Sequence, residues 1–241
     1  MKSLIKVLVV TIVTVVAVVG CKPQLPDAIE VTIDSCVHVV NVSQGWQGSA
    51  LAIAPDILVM ARHVNEGGRE FLITTVDGKE YRAFQAVSSK KYDIGFIKLE
   101  EPVLKPAKTG SLKDLRLGES VYVIGGSLGK MNWPNITAGI ASCLNRDLEK
   151  FGVSEDFGWS ILWQVDAATY PGNSGGPIFS LDGVARGILV GGIGGIECLS
   201  YCVPLEVAMP DIREIRRLFI QDEYRVEEEV KVDAAAEAWE Y

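Results

Sequence analysis

The chain has 241 residues, 48% hydrophobic and 22% charged, with 23 basic against 31 acidic side chains and a net charge of −8. That balance disfavours a nucleic-acid partner, which would need clustered positive charge to neutralise phosphates. With two histidines and no C-x-x-C spacing among five cysteines, no metal site and no cofactor is expected.

Residues 1–20 begin with Lys2 and Lys6 and continue as the apolar run Val7 to Gly20, the pattern of a secretion leader. The run is shorter than the roughly 20 residues of a helical membrane span. Its end, Val18-Val19-Gly20-Cys21, resembles the lipobox of bacterial lipoproteins. That likeness implies cleavage before a lipidated Cys21 and a membrane-anchored protein facing the periplasm or the cell exterior. An ordinary cleaved leader or an uncleaved anchor is the alternative. Removing a leader with two lysines and no acid deepens the net charge to −10.

Residues 21–34, with Pro23 and Pro26, read as a tether. Six short strands follow, β-branched or alternating and separated by turn residues such as Asp77-Gly78: Cys36–Val42, Gly48–Ala54, Ile57–Met60, Phe71–Thr75, Tyr81–Val87 and Ile94–Leu99. A polar connection over Glu100 to Gly118 leads to six more: Val121–Ile124, Ile136–Cys143, Leu162–Val165, Pro177–Ser180, Gly187–Gly191 and Leu199–Val203. Six plus six strands without βαβ alternation predict an all-β fold of antiparallel barrels or sandwiches, about 35–100 and 118–205. Ile212, Ile215, Leu218 and Phe219 stand at helical spacing, so a helix over about 210–220 is expected to pack on the second half. Residues 221–241, with eight acidic and two basic side chains, read as a solvated tail. Cys36, Cys143, Cys198 and Cys202 permit two disulfides in three connectivities if the chain is exported. The triplets Asn41-Val42-Ser43 and Asn135-Ile136-Thr137 are read as chance matches to a glycosylation signal, because the leader looks bacterial.

The chemistry concentrates in Tyr170-Pro171-Gly172-Asn173-Ser174-Gly175-Gly176-Pro177. Glycines flanking a serine allow positive-φ turns that aim consecutive N–H groups inward beside the hydroxyl, the arrangement of an oxyanion hole at Gly172, Asn173 and Ser174. A polar turn would have the same composition. The motif also fits the G-x-S-x-G elbow of α/β-hydrolases, but their histidine follows the serine, whereas His38 and His63 both precede Ser174. His63 sits where the apolar Leu58-Val59-Met60 runs out into polar residues, and is the expected base. His38 lies within a strand and is expected to be structural. Between His63 and Ser174, Asp93 opens the apolar strand Ile94–Leu99 and is the expected carboxylate partner, in the order His, Asp, Ser.

Taken together, Ala61-Arg62-His63-Val64, Asp93-Ile94-Gly95 and Gly172-Asn173-Ser174-Gly175-Gly176-Pro177 resemble the His, Asp and Ser signatures of trypsin-like serine proteases. Asn135 to Ser142 and Gln164 to Ala168 are similar to the bacterial high-temperature-requirement branch of that family. The resemblance covers about residues 36–210. It implies two six-stranded antiparallel β-barrels of the chymotrypsin kind with a catalytic His63, Asp93 and Ser174 in the cleft between them, and hydrolysis of exported or misfolded proteins through an acyl-enzyme. Members of that branch usually carry PDZ domains after the protease, for which 241 residues leave no room. Met60 stands where the family commonly has a small hydroxyl residue.

By position, Ala168 and Thr169 would floor the pocket for the residue before the cut, and Leu189, Val190 and Gly191 would form a wall. None is charged, so small or medium apolar residues are the expected preference. The competing reading is a catalytically silent protease-fold lipoprotein that binds peptides or partner proteins. All three triad residues and the glycines of the hole argue against it. A flipped peptide at Gly172 or Asn173 would leave such an enzyme latent. Protein or peptide substrates are the expected partners in the first reading, and the oligomeric state is not legible.

Overall fold

The computed structural model describes residues 24–147, 162–193, 196–210 and 212–220. The leader, Cys21 and the acidic tail lie outside these residues. The helix α1 (Leu25–Thr32) and a 3-10 turn (Ile33–Ser35) lead into β1 (Cys36–Asn41), β2 (Trp46–Ala54), β3 (Ile57–Met60), the one-turn helix α2 (Arg62–Asn65), β4 (Phe71–Thr75), β5 (Glu80–Ala83), β6 (Gln85–Ser88) and β7 (Gly95–Lys98). The second half comprises β8 (Lys108–Thr109), β9 (Ser120–Gly125), β10 (Asn135–Arg146), β11 (Leu162–Val165), β12 (Pro177–Ser180), β13 (Val184–Gly192) and β14 (Ser200–Pro204), followed by α3 (Leu205–Ala208) and α4 (Ile212–Ile220).

Twelve strands were expected and fourteen are described, in a mostly β, chymotrypsin-like fold. The first sheet runs β5-β4-β1-β2-β3-β7-β6. Its outer strands β5 and β6 do not pair; they are successive pieces of the expected strand Tyr81–Val87, parted only by the exposed Phe84. This half is therefore a half-barrel sheet. In the second half, β12-β9-β10-β11-β14-β13 closes into a six-stranded barrel through the β12–β13 pairing. The additional β8 lies parallel to β13. It comes from the connection Glu100 to Gly118, whose polar composition gave no strand signal.

Strand β3 is buried along all four residues, so it reads as continuously apolar instead of alternating. One core joins the halves: Tyr122 and Phe179 of the second half stack at 5.3 Å and pack with the apolar residues of β1, β2 and β3. A second cluster surrounds Trp163 inside the closed barrel.

Three expectations are corrected. Much of the supposed tether is helix α1, which buries Ala28 and Thr32 against the second half, where Tyr122 Oη donates to the Ala28 carbonyl (3.0 Å) and lies 2.9 Å from Thr32 Oγ1. The helix starts because Pro26 sits in the first turn, where its missing N–H costs nothing. Second, α4 returns to the first half, not the second: both Arg216 Nη atoms donate to the Asp56 carboxylate between β2 and β3, at 2.6 and 2.7 Å. That guanidinium holds the Asp56 carboxyl below its usual range. Third, Cys36, Cys143, Cys198 and Cys202 are all free thiols. Strand β11 separates Cys143 on β10 from Cys202 on β14, which puts them about 10 Å apart, beyond disulfide reach.

Candidate active site

His63 lies on α2 immediately after β3, not in a loop, with its side chain 44% exposed. Asp93 is 3% exposed and grips it twice: Oδ1 accepts from the His63 backbone N–H at 3.0 Å and Oδ2 faces ring Nδ1 at 2.8 Å. Burial by itself would push the His63 imidazole down, but the charge and hydrogen bond of Asp93 outweigh it and hold the ring above its ordinary value. With the carboxylate at Nδ1, the neutral ring carries its proton there and leaves Nε2 as the acceptor. Asn65 fixes the helix against the sheet, donating through Nδ2 to the Val87 and Phe96 carbonyls at 3.3 and 3.4 Å and accepting from Ser88 Oγ at 3.0 Å. A Cβ at Gly95 would lie 2.3 Å from that amide, so the glycine after Asp93-Ile94 is needed for α2 to seat on β7. Sequence reasoning missed Asn65, which has no motif of its own.

The loop around Ser174 is fastened from both halves. Gly172 has φ +94, and a Cβ there would lie 2.3 Å from the Gly126 carbonyl, so only glycine fits. The Pro171 carbonyl accepts from Leu128 N–H (2.6 Å), and the Gly172 carbonyl accepts from the hydroxyl of the fully buried Ser49 (2.9 Å), which itself accepts from Gly126 N–H (2.9 Å). Ser49 N–H donates to the Ser174 carbonyl at 2.8 Å. With three carbonyls of the loop tied in this way, the Gly172 and Ser174 N–H groups donate to no acceptor among the described residues. The Asn173 N–H differs: it is engaged by the Tyr170 carbonyl at 3.0 Å, so this expected member of the hole contributes no free donor. Its side chain is a brace instead, with Oδ1 accepting from Ser127 Oγ at 2.9 Å. Ser49 and Ser127 were also missed, because single serines in strands and loops carry no signal.

The first half meets this loop beside His63. A Cβ at Gly48 would stand 2.7 Å from the Ser174 carbonyl and 2.9 Å from Val64 Cγ1, and one at Gly175 would stand 3.0 Å from Ala61 N. Gly48 thus fits between Val64 and the Ser174 carbonyl, and Gly175 fits against Ala61. No hydrogen bond joins Ser174 Oγ to the His63 ring, as is common in ligand-free sites of this chemistry. Met60 is fully buried and its Cβ lies 3.0 Å from the same Gly175 position, supporting the loop by packing where a hydroxyl was expected.

His38 sits in β1, fully buried, with the Gln47 side chain beside its ring. Burial pushes its imidazole below the ordinary value. It has no carboxylate and stands apart from the Asp93 pair, in keeping with a structural role. Among the residues expected to shape the pocket, Leu189 packs in the Trp163 cluster, because alternate residues of β13 face opposite sides. Its backbone still serves the site, accepting from Gly175 N–H (2.7 Å) and donating to the Gly176 carbonyl (2.9 Å). Val190 is also buried, whereas Ala168, Thr169 and Gly191 are half-buried. Thr169 Oγ1 lies 2.7 Å from Ser200 Oγ, a hydroxyl pair the sequence did not reveal.

A family profile described as trypsin-like peptidase domain matches residues 48–188. The chain is 35% identical over 173 residues to a probable periplasmic serine endoprotease DegP-like of Halomonas elongata, covering 70% of this chain and 35% of that protein. It is 31% identical over 161 residues to the serine protease Do-like HtrA of Bacillus subtilis, covering 66% of this chain and 36% of that one. The chain thus spans about a third of the length of the curated relatives it matches. In fold it is similar to a solved HtrA-type protease, AlgW with a tripeptide, at a TM-score of 0.71 and 24% identity, over 84% of this chain and 65% of that one. By its sequence match across the serine and histidine segments, the chain belongs to the trypsin-like peptidase family.

Proposed function

We propose that this chain is a serine endopeptidase of exported or misfolded proteins. Ser174 Oγ attacks the peptide carbonyl while His63 Nε2 takes its proton, and buried Asp93 orients the ring and stabilises the imidazolium. The Gly172 and Ser174 N–H groups receive the oxyanion, each donor lowering the barrier by roughly 2.7–4 kcal/mol. His63 then returns the proton to the leaving amine, and water releases the acyl group from Ser174. The observation that carries this reading is the double grip of Asp93 on His63, at 3.0 and 2.8 Å, next to a serine loop with two unengaged amides.

Half-buried, uncharged Ala168, Thr169 and Gly191 support a preference for small or medium apolar residues before the cut. The leader and Cys21 support an exported, membrane-anchored lipoprotein, and the periplasmic designation of the relatives agrees with export. A serine-directed fluorophosphonate tests the core of the reading. Labelling is expected in the native protein and not in Ser174→Ala; labelling that persists in the variant rejects the assignment, and absence of labelling in both favours a silent binding module.

A further inference from the structure

The helix α2 that carries His63 is one turn long and closes with the Glu66 N–H donating to the Arg62 carbonyl at 2.9 Å. Helices of that length do not hold themselves in water, where even about 12 residues are marginal. Its shape therefore comes from the side chains that fasten it. Asp93 and Asn65 fasten it toward β6 and β7. A third fastening comes from β1, whose last residue, Asn41, is fully buried. The Asn41 Nδ2 carries two protons and donates to the Val64 carbonyl at 3.0 Å and the Glu66 carbonyl at 3.2 Å. These carbonyls lie at the C-terminal end of the helix, where no further turn supplies a partner. Asn41 Oδ1 accepts from the Gln44 N–H at 3.3 Å, so the amide cannot turn over without losing all three contacts. A Cβ at Gly68 would stand 2.8 Å from the same Nδ2, so the chain leaving α2 closes tightly over it. Asn41 is itself fixed on both sides, pairing with Trp46 of β2 and Phe71 of β4.

We infer that Asn41 is a positioning residue for the proposed reaction, holding the His63 imidazole in register with Ser174. The inference rests on the reading of His63 as the base and Ser174 as the nucleophile. Two features carry it. First, the segment His63-Val64 is gripped at both ends, the His63 N–H by Asp93 and the Val64 carbonyl by Asn41. Second, β1 is the neighbour of β2, and β2 makes the contacts to the serine loop: Ser49 N–H donates to the Ser174 carbonyl and Ser49 Oγ to that of Gly172. Asp93 and Asn65 set the ring relative to β6 and β7, at the edge of the sheet. Asn41 refers it to the strand pair that meets Ser174. Releasing this tie frees α2 to drift against the serine while the strands stay in place, and a misplacement of about 1 Å in such a site costs about a hundredfold in rate.

The test compares native protein with Asn41→Ala and the milder Asn41→Ser, which keeps one proton donor. Arg216→Ala, which removes a tie of the first half to Asp56 and not to α2, is the control for lost stability. Asp93, Glu66 and Arg62, the charged groups beside the ring, are kept throughout. Hydrolysis of an acyl ester gives kcat and KM. The Cε1–H signal of His63, identified by its absence in His63→Ala, is followed by NMR against pH. In the Asn41 variants kcat is expected to fall about tenfold or more with KM within about twofold, Ser less affected than Ala. The His63 signal is expected to titrate at lower pH, because the ring loses part of its hold on Asp93. Arg216→Ala should lower the melting temperature with kcat and the His63 titration unchanged. Native kcat or an unmoved titration in a folded Asn41 variant makes Asn41 a structural cap and overturns the inference, as does failure of both variants to fold. A native protein that leaves the ester intact overturns the serine-hydrolase reading whatever the titration shows, whereas cleavage without the shift overturns the positioning role alone.

Discussion

The two halves hold their chemistry in different ways. In the first, the proposed base His63 sits on α2 and its carboxylate Asp93 in the bend just before β7, and the two are fixed by side-chain contacts around Asp93 and Asn65. In the second, Ser174 occupies an irregular loop whose carbonyls are tied down one by one, and one decisive tie, Ser49, comes from β2 of the first half. The pair is therefore intrinsic to one half, whereas the serine loop is held by residues of both. The covered seam also explains why apolar core is continuous between the halves.

The largest expected break is chemical. Ser174→Ala and His63→Ala should each lower kcat by about 10⁴-fold or more while leaving the fold intact by circular dichroism. Asp93→Asn should cost about 10⁴-fold as well, and it also moves the pH profile. In the native protein the ring is raised above the ordinary histidine value, so the acid limb of kcat/KM is expected above pH 6.5. Without the carboxylate, burial wins and that limb should shift to lower pH; an unmoved limb would mean that another group titrates.

Ser49→Ala sharpens the contrast from the other side. It leaves the buried Gly172 carbonyl and Gly126 N–H without their partner, so a stability loss of about 1–3 kcal/mol is expected in denaturant titration. A kcat fall of about tenfold or more, with KM little changed, should accompany it if the loop depends on this tie. A variant with native kcat would show that the second half shapes the loop unaided.

The two histidines give a smaller, signed effect. His38, depressed by burial, contributes stability that is present above pH 6.5 and lost as pH falls toward its folded value. His63, raised, contributes stability that is full below pH 6.5 and lost as pH rises through its folded value. Thermal melts of His38→Leu should therefore lose part of the acid sensitivity that the native protein shows below pH 6.5. The smallest effect expected is Arg216→Ala, which removes the tie from α4 to Asp56 at the surface and should cost about 1 kcal/mol. Asp56 lies below its usual range, so that contribution should vanish as pH drops through its folded value.

Local composition was enough to place every strand segment but β8, the Asp77-Gly78 turn and the serine loop, because period-2 patterning and glycine at positive φ act over a few residues. The order His63, Asp93, Ser174 followed from chain position alone, and the resemblance tied these residues to one fold. What sequence did not reveal depends on residues distant in the chain. Leu25, Ala28, Ile29 and Ile33 stand at helical spacing, but nothing local showed that Tyr122, some 90 positions from Thr32, would capture α1 as a docked helix. The apolar stripe of α4 showed that it packs but not on what; Arg216 and Asp56, 160 positions apart, decided that. Cysteine counting allowed a Cys143–Cys202 bridge that strand order excludes. Ser49 was one serine among many until folding set it between Gly172 and Gly126. Short-range patterns are written in consecutive residues, so the chain determined its strands, turns and chemical inventory by itself. Which strand became two, which helix crossed the seam and which hydroxyl braced the loop were decided by long-range packing, where a contact's energy depends on what the rest of the chain delivers to the same point.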